Sequence, residues 1–345
     1  MPMMQSIFLD TLKGKPGHRP PVWFMRQAGR VLPNYNKLKE NYSFLELMHD
    51  PVLAAKVTLM PIEDLGVDAA ILFSDILVIP EAMGMEVEFT DRGPVFKRPL
   101  KSLNQPANHL NSDPQKLEYI YRVIDEIIRS RPENTPLIGF CGAPLTTLCY
   151  MIQGISSNPG FPDATRFLFQ HKNEAKKLIG AIADFSVHYA LRQIDHGVEA
   201  FQLFETHANL IPEEMYMDLF MPAVKKIGHA VRETGTPFIF FPKGFGTGLK
   251  KITPDIADFV SIDWQIPLQQ ARELVDPAIG VQGNLDPRVL YEKQEDIRIE
   301  LEKYLPFFQK NKRWIFNLGH GFLPDTPYEN ARLIVDWIKN TSWKK

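Results

Sequence analysis

The stretch Ala69-Ala70-Ile71-Leu72-Phe73-Ser74-Asp75 is a short apolar run that stops at a hydroxyl and a carboxylate. Five consecutive apolar residues without alternation suit a strand covered on both faces, and such strands belong to parallel sheets. Runs of similar length and character recur along the chain and predict strands over 22–25, 69–74, 137–141, 200–204, 237–241, 259–262, 279–282 and 314–317. Between them, apolar residues at three- and four-residue intervals predict helices over 45–65, 114–130, 174–196, 212–234, 268–275, 287–304 and 328–339. Pro212, after Leu210-Ile211, is read as a first-turn proline, where its missing N–H costs nothing. Eight parallel strands, each followed by a helix, make an α/β fold of the (β/α)8 TIM-barrel type. The usual barrel of roughly 250 residues leaves about 100 for insertions and a tail. One insertion is legible over 86–100, where EVEF and VFKRPL flank Thr90-Asp91-Arg92-Gly93-Pro94 and predict a β-hairpin excursion after the second strand. No fixed-period repeat or Gly/Ser linker interrupts the chain, so 1–345 is read as a single domain. An open, doubly wound sheet satisfies the same alternation.

Charge and composition narrow the partners. With 39 basic against 41 acidic side chains and a net charge of −2, the chain lacks the basic excess of a nucleic-acid binder. At 44% hydrophobic and 23% charged, it is neither disordered nor fibrous. Only Cys141 and Cys149 are present, without a CxxC spacing, which excludes a disulfide framework and points to a reducing compartment. The start of the sequence has no signal-peptide pattern, and no stretch reaches the roughly 18 apolar residues of a membrane helix. The expectation is a cytoplasmic protein with a small-molecule or protein partner.

In a (β/α)8 barrel the loops after the strands share the face that holds the active site. Here those loops are polar: Arg26-Gln27-Ala28-Gly29-Arg30, Ser74-Asp75, Gly142-Ala143-Pro144 leading to Tyr150, Glu205-Thr206-His207, Lys243-Gly244, Asp263-Trp264, Asn284-Leu285-Asp286 and His320-Gly321. Arg26 and Arg30, on either side of a flexible Ala28-Gly29 step, can fork onto separate carboxylates or phosphates while backbone N–H groups add donors, which implies an anionic substrate. The plain alternative is a pair of solvated arginines in weak surface ion pairs. Asp75 leaves a dry wall for the pocket, where burial would raise its pKa and arginines or N–H donors would favour its charged form. It reads equally as a pocket acceptor or as a helix N-cap. Tyr150 either turns its hydroxyl to the pocket or is a core tyrosine. Thr206, His207 and His320 are pocket groups or turn residues, and Lys243 is a Schiff-base lysine or a solvated one.

Two other chemistries are demoted. Gly244-Phe245-Gly246-Thr247-Gly248 has the spacing GxGxG and lacks the Walker lysine, so no nucleotide is expected. None of the nine histidines falls in HExxH, and neither cysteine has a histidine at close ligand spacing, so no metal is expected.

PVWFMRQAGRVLPNY (21–35), ILFSDILVIPEAMGMEVEF (71–89), GFCGAPLTTLCYMIQG (139–154), LFETHA (203–208), GNLDP (283–287) and NLGHG (317–321) together resemble the uroporphyrinogen decarboxylase family, across almost the whole chain. The resemblance implies a cytoplasmic homodimer with one barrel per subunit, and no metal or organic cofactor. Its substrate would be uroporphyrinogen III, whose four acetates become methyl groups with loss of four CO2, giving coproporphyrinogen III for haem and related tetrapyrroles. Carried over by position, Arg26, Gln27 and Arg30 with the backbone of Ala28 and Gly29 would bind substrate carboxylates. Asp75 would accept the pyrrole N–H groups and serve with Arg26 and Arg30 as catalytic residues, and Tyr150, Thr206 and His320 would complete the pocket. The proton donor stays open among water, a substrate carboxyl, Tyr150 and Arg26. Val31 stands where the family often has tyrosine and Asn209 where glycine is common, which bears on local loop shape. Zinc-dependent methyltransferases of similar fold are the alternative enzyme, predicting a His/Cys cluster. A non-catalytic tetrapyrrole carrier is the alternative from another class.

Overall fold

Nine strands are present among the described residues: β1 (Ala70–Ile71), β2 (Val87–Thr90), β3 (Gly93–Phe96), β4 (Leu137–Gly142), β5 (Ala200–Glu205), β6 (Phe238–Pro242), β7 (Phe259–Ser261), β8 (Gly280–Gln282) and β9 (Trp314–Ile315). They come from a computed structural model that describes residues 6–90, 93–154 and 160–343. Seven strands form one parallel sheet in the order β1-β4-β5-β6-β7-β8-β9. Sequential order with every neighbour parallel is the arrangement of a curled sheet wound by βα units, and helices alternate with the strands throughout. Separately, β2 pairs antiparallel with β3, Val87 opposite Phe96 and Thr90 opposite Gly93. Asp91 and Arg92 of the expected hairpin turn, and Met1–Gln5 of the leader reading, lie outside the described residues.

The expected strand over 22–25 narrows to a single parallel bridge, Val22 with Phe316. The cause is local. The Phe24 N–H is taken by Gln27 Oε1 at 2.9 Å and the Met25 N–H by Asn317 Oδ1 at 3.2 Å, so side chains replace the ladder. On its other side the Val22 carbonyl accepts from Asp68 N–H at 2.8 Å, and Pro21 accepts from Phe316 N–H at 2.9 Å. Both edges of the seven-stranded sheet therefore meet the same segment. β1 is shorter than the predicted 69–74 for the same kind of reason, since the Phe73 N–H donates to Thr58 Oγ1 at 3.0 Å.

Prolines break two predicted helices. The 45–65 segment splits into Phe44–His49 and Pro51–Asp64, because Asp50 precedes a proline, stays extended and caps the Val52 and Leu53 N–H groups at 2.9 Å each. The 212–234 segment splits into Glu213–Leu219 and Met221–Glu233 around Pro222, and Pro212 is an extended N-cap rather than a first-turn residue. The segments 114–130 and 287–304 open as 3-10 turns, Pro114–Leu117 and Pro287–Tyr291, before the helices Glu118–Ser130 and Gln294–Glu302. Helices Pro33–Lys39, Val78–Ala82 and Leu305–Lys310 carry too short an apolar pattern to be predicted, and Pro162–Gln170 is a further helix outside the predicted segments.

Strand interiors are dry, and every residue of β4, β6, β7 and β8 is buried. Fully burying each large apolar side chain of this kind stabilises the fold by about 1.5–3 kcal/mol. Residues two apart on a strand share a face, which sets up the interior. Gln202 points inward, because its Oε1 accepts from Gln282 Nε2 across the sheet at 3.0 Å, while Gln282 Oε1 accepts from Trp23 Nε1 and its Nε2 also reaches Ser261 Oγ, each at 3.0 Å. Phe204, two residues on, faces the same way with Phe241 in register beside it. Glu205 faces outward to the helices.

Candidate active site

The strand order and register put the carboxyl ends of the strands at one end of the sheet, and the polar loops predicted from sequence meet there. Phe140, Phe204 and Phe241 lie side by side at that end, with ring centroids 5.6 Å and 6.1 Å apart in edge-to-face contact. Only Phe204 among them is half-buried. His320 lies 6.5 Å from Phe241. These rings form an apolar floor above the glutamine layer, and the aromatic character of 140, 204 and 241 was legible in the sequence only as core.

Arg26 is exposed and holds a left-handed backbone, φ 62°, a conformation that costs a non-glycine residue about 1 kcal/mol or more. Its aliphatic stem crosses Gly321 so closely that a Cβ there would lie 2.5 Å from Cδ and 2.6 Å from Cγ. Arg26 bears on three neighbours: its charge favours ionised Asp75 and Tyr150 and disfavours protonated His320. Asp75 is half-buried. Burial pushes its carboxyl above the usual range, while the Leu77 N–H, which donates to Oδ1 at 2.8 Å, and Arg26 pull it back. Asp75 therefore serves as a turn acceptor with one oxygen, and it is not the N-cap of the next helix, Val78–Ala82, whose N-cap is Leu77 and has no side-chain cap. Tyr150, near the end of the helix Pro144–Gln153, has its hydroxyl pushed up by burial, with Arg26 opposing and Asp75 reinforcing. Its ring touches Phe161 and His207, centroids 5.2 Å and 6.0 Å away.

The two histidines are held neutral. Burial, then Lys243, brings His207 to about 4, and burial with Arg26 and Lys243 brings His320 to about 3. Gly321 N–H donates to His320 Nδ1 at 2.8 Å, which leaves the ring proton on Nε2. His207 Nε2 is buried without a partner among the described residues. Thr206 and Lys243 are half-buried beside them. Asn209 lies over Gly244: a Cβ at that residue, whose φ is +76°, would sit 2.8 Å from the Asn209 side chain.

Gln27 departs from its expected role. Its side chain is wholly buried, accepts from Phe24 N–H and donates to the Ala69 carbonyl at 2.8 Å, tying the loop to the wall. Both amide atoms are occupied, so it positions the loop rather than facing the mouth. Ala28 and Gly29 are half-buried, and no hydrogen bond from the N–H groups of Ala28, Gly29 or Arg30 is present among the described residues. Arg30 is exposed and couples to Tyr35 rather than to Asp75. Arg26, Asp75, Tyr150 and His320 thus come together, with His207 and Lys243 added, and Thr206 lies on the same loop as His207. Among the described residues no three of His, Cys, Asp and Glu gather closely enough to hold a metal ion. A groove of about 550 Å3 lined by Lys37, Val52, Lys56, Leu59, Glu63 and Glu126 lies on the helical exterior and includes none of these groups.

Fold and site define an α/β protein that gathers unpaired charge beyond the carboxyl ends of a curled parallel sheet. The chain belongs to the uroporphyrinogen decarboxylase family: residues 3–341 match the family described as "Uroporphyrinogen decarboxylase (URO-D)". It is 38% identical to uroporphyrinogen decarboxylases of Pelobacter propionicus (98% of this chain and 99% of that one) and Geobacter sulfurreducens (99% and 100%). Among solved structures it is similar to a methyltransferase from Methanosarcina mazei, with 18% identity, a TM-score of 0.75 and 96% of each chain covered. It is also similar to a B12-independent methionine synthase from Shewanella sp. W3-18-1, with 13% identity, a TM-score of 0.58 and 94% of each chain covered. At these identities the two likenesses concern the fold alone. No helix among the described residues is long and apolar enough to cross a membrane.

Proposed function

We propose that this chain is a cofactor-independent carboxy-lyase that converts the four acetates of uroporphyrinogen III to methyl groups, giving coproporphyrinogen III in tetrapyrrole biosynthesis. The observation that carries the reading is Asp75 beside Arg26 and Tyr150 at the strand ends of a family member. Arg26 and Arg30, with the free N–H groups of 28–30, suit a substrate bearing eight carboxylates. Breaking the C–CO2 bond releases an electron pair, which a pyrrole protonated at the carbon bearing the acetate accepts into its ring. The exocyclic methylene so formed takes a proton to become the methyl group and the ring carbon gives its proton up, a net uptake of one proton for each CO2 released. The positive charge of that protonated ring spreads toward the pyrrole nitrogens. A fixed carboxylate at Asp75 stabilises this charge more in the transition state than in the ground state, which raises the rate. His320 and Thr206 complete the pocket, and Gln27 serves through the loop it braces. The same reading takes 1–345 as one domain, a closed eight-stranded barrel whose first strand is the Val22 segment, with the β2–β3 ribbon as an excursion after the second strand. It also takes the working form as a cytoplasmic homodimer.

Anaerobic incubation with reduced uroporphyrinogen III, followed by oxidation and mass-resolved chromatography, tests the activity. Stepwise conversion from eight to four carboxyl groups is expected. Folded protein that binds the substrate and removes no carboxyl group would replace the enzyme with a carrier, and protein that does not bind it would reopen methyl transfer. Sedimentation at several concentrations tests the dimer, and a monomer throughout would remove it.

A further inference from the structure

Glu205 ends β5 and is completely buried, with its side chain on the outer face of the strand. Its oxygens accept four hydrogen bonds: from Leu145 N–H at 3.2 Å, from Thr146 N–H at 2.7 Å, from the Thr146 hydroxyl, and from the Tyr216 hydroxyl at 3.0 Å. Two of these donors open the helix Pro144–Gln153, whose N-cap, Ala143, supplies no side-chain cap. Glu205 therefore supplies the cap from another strand. That helix carries Tyr150 near its other end, and the next residues along the chain from Glu205 are Thr206 and His207. One carboxylate thus fixes two pieces of the pocket relative to each other.

We propose that Glu205 is a positioning residue of the decarboxylation, which in its ionised form holds Tyr150 and Thr206 in a single working arrangement. The inference rests on the function proposed above. All four groups donate to the ionised carboxylate; a protonated carboxyl would bring a fifth hydrogen into a set already composed of donors, and the arrangement would loosen. Burial, opposed by the Thr146, Tyr216 and Leu145 donors, brings this carboxyl up to about 7, so the change falls in an accessible range. The titratable groups facing it are the Cys149 thiol from the same helix and the Tyr216 hydroxyl from the helix Glu213–Leu219, both raised far above neutrality by burial. His207 and His320 stay neutral down to about 4 and about 3. Asp75 and Glu81, which it bears on, are raised carboxyls as well, and the four donors go to Glu205 rather than to either of them.

The sign separates this from unfolding. An acid with a raised folded pKa binds an extra proton in the folded state between its ordinary value and about 7. Its contribution to stability is therefore greatest on the acid side and declines as pH rises through that window. Turnover should do the reverse, falling as pH drops through 7 while the fold is retained.

The experiment is kcat and KM against pH for the wild type, Glu205→Gln and Tyr216→Phe, with urea midpoints alongside. For Glu205→Gln, which leaves the Leu145 N–H without an acceptor, kcat should drop about tenfold with KM within about twofold, and the acidic limb near 7 should vanish. Tyr216→Phe removes one donor to the ionised form, so its acidic limb should move to higher pH. This second variant keeps the test open if Glu205→Gln does not fold. Wild-type kcat and an unmoved limb in either folded variant would overturn the assignment. Wild type that releases no CO2 from the substrate would instead fail the proposed activity, a different result.

Discussion

The two ends of the sheet treat charge in opposite ways. At the amino end, Arg19 forks onto Asp68 at 2.7 and 2.8 Å, and Asp68 also accepts from Val22 N–H at 2.8 Å. Arg131 pairs with Glu199, which accepts from Leu137 N–H at 2.9 Å. Arg232 pairs with Asp258 at 3.2 Å, which accepts from Phe238 N–H at 2.9 Å. Each carboxylate stands just before one strand and holds the start of the neighbouring strand, so sequence position, register and charge agree. At the carboxyl end Arg26, Arg30, Lys243 and Asp75 form no ion pair among the described residues. Arg272 and Arg313, also without an ion pair at the amino end, give their N–H groups to the carbonyls of Val275, Asp276, Ala278 and Ile279, whereas no hydrogen-bond acceptor for Arg26, Arg30 or Lys243 is present among the described residues. Charge that the chain itself leaves without a partner costs stability where it is desolvated, and its gathering at the carboxyl end teaches that this end is completed by something outside the chain.

Exchanging the roles of the two ends should therefore fail. Asp75→Ala should lower turnover by roughly 100- to 1,000-fold, the scale of removing one group aimed at developing charge, with the urea midpoint almost unchanged. Equal turnover in Asp75→Ala and wild type would sink the catalytic role. Asp68→Ala should do the opposite, costing about 3 kcal/mol of stability by leaving Arg19 and the Val22 N–H unpaired, while kcat per folded molecule holds. Reduced turnover at an unchanged midpoint would break the comparison.

What the sequence could show follows the same division. The eight apolar runs were visible because burial on both faces needs continuous hydrophobicity, and β4, β5 and β6 lie within a residue of the ranges read from it. The Val22 segment and β1 came out shorter because Gln27, Asn317 and Thr58 take backbone N–H groups that a ladder would use, and no local pattern records such a long-range substitution. The breaks at Pro51 and Pro222 were legible and were passed over in favour of periodicity. At the mouth, Arg26, Asp75, Tyr150 and His320 could be placed by their positions after strands. Gln27 could not, since the same position after a strand leaves open whether its amide faces the pocket or the wall. Glu205 stood in the sequence beside Thr206, but its four donors come from 145, 146 and 216 and appear only on folding.

Gly321 sharpens the comparison at a finer scale. A methyl group there would meet the Arg26 stem at 2.5 Å, and the flexible side chain rather than the backbone would give way. Gly321→Ala should fold normally and raise KM about tenfold, the scale of losing one charge-assisted hydrogen bond to a substrate carboxylate. An unchanged KM would mean that Arg26 does not bear on substrate.

The smallest effect expected at this end is that of Thr206→Ala. Thr206 is half-buried and brings no charge of its own, and a hydrogen bond from its hydroxyl to an uncharged group of the substrate is worth about 0.5–1.5 kcal/mol. That converts to a loss of roughly 2- to 10-fold, with Thr206→Ser close to wild type because the hydroxyl remains. Its neighbour Glu205 touches no substrate in this reading and yet should match or exceed it, since one carboxylate holds four donors on two helices. A loss in Thr206→Ala as large as that in Asp75→Ala would make the hydroxyl, and not the unpaired charge, the decisive feature of the mouth, and the contrast between the two ends would lose its chemical meaning.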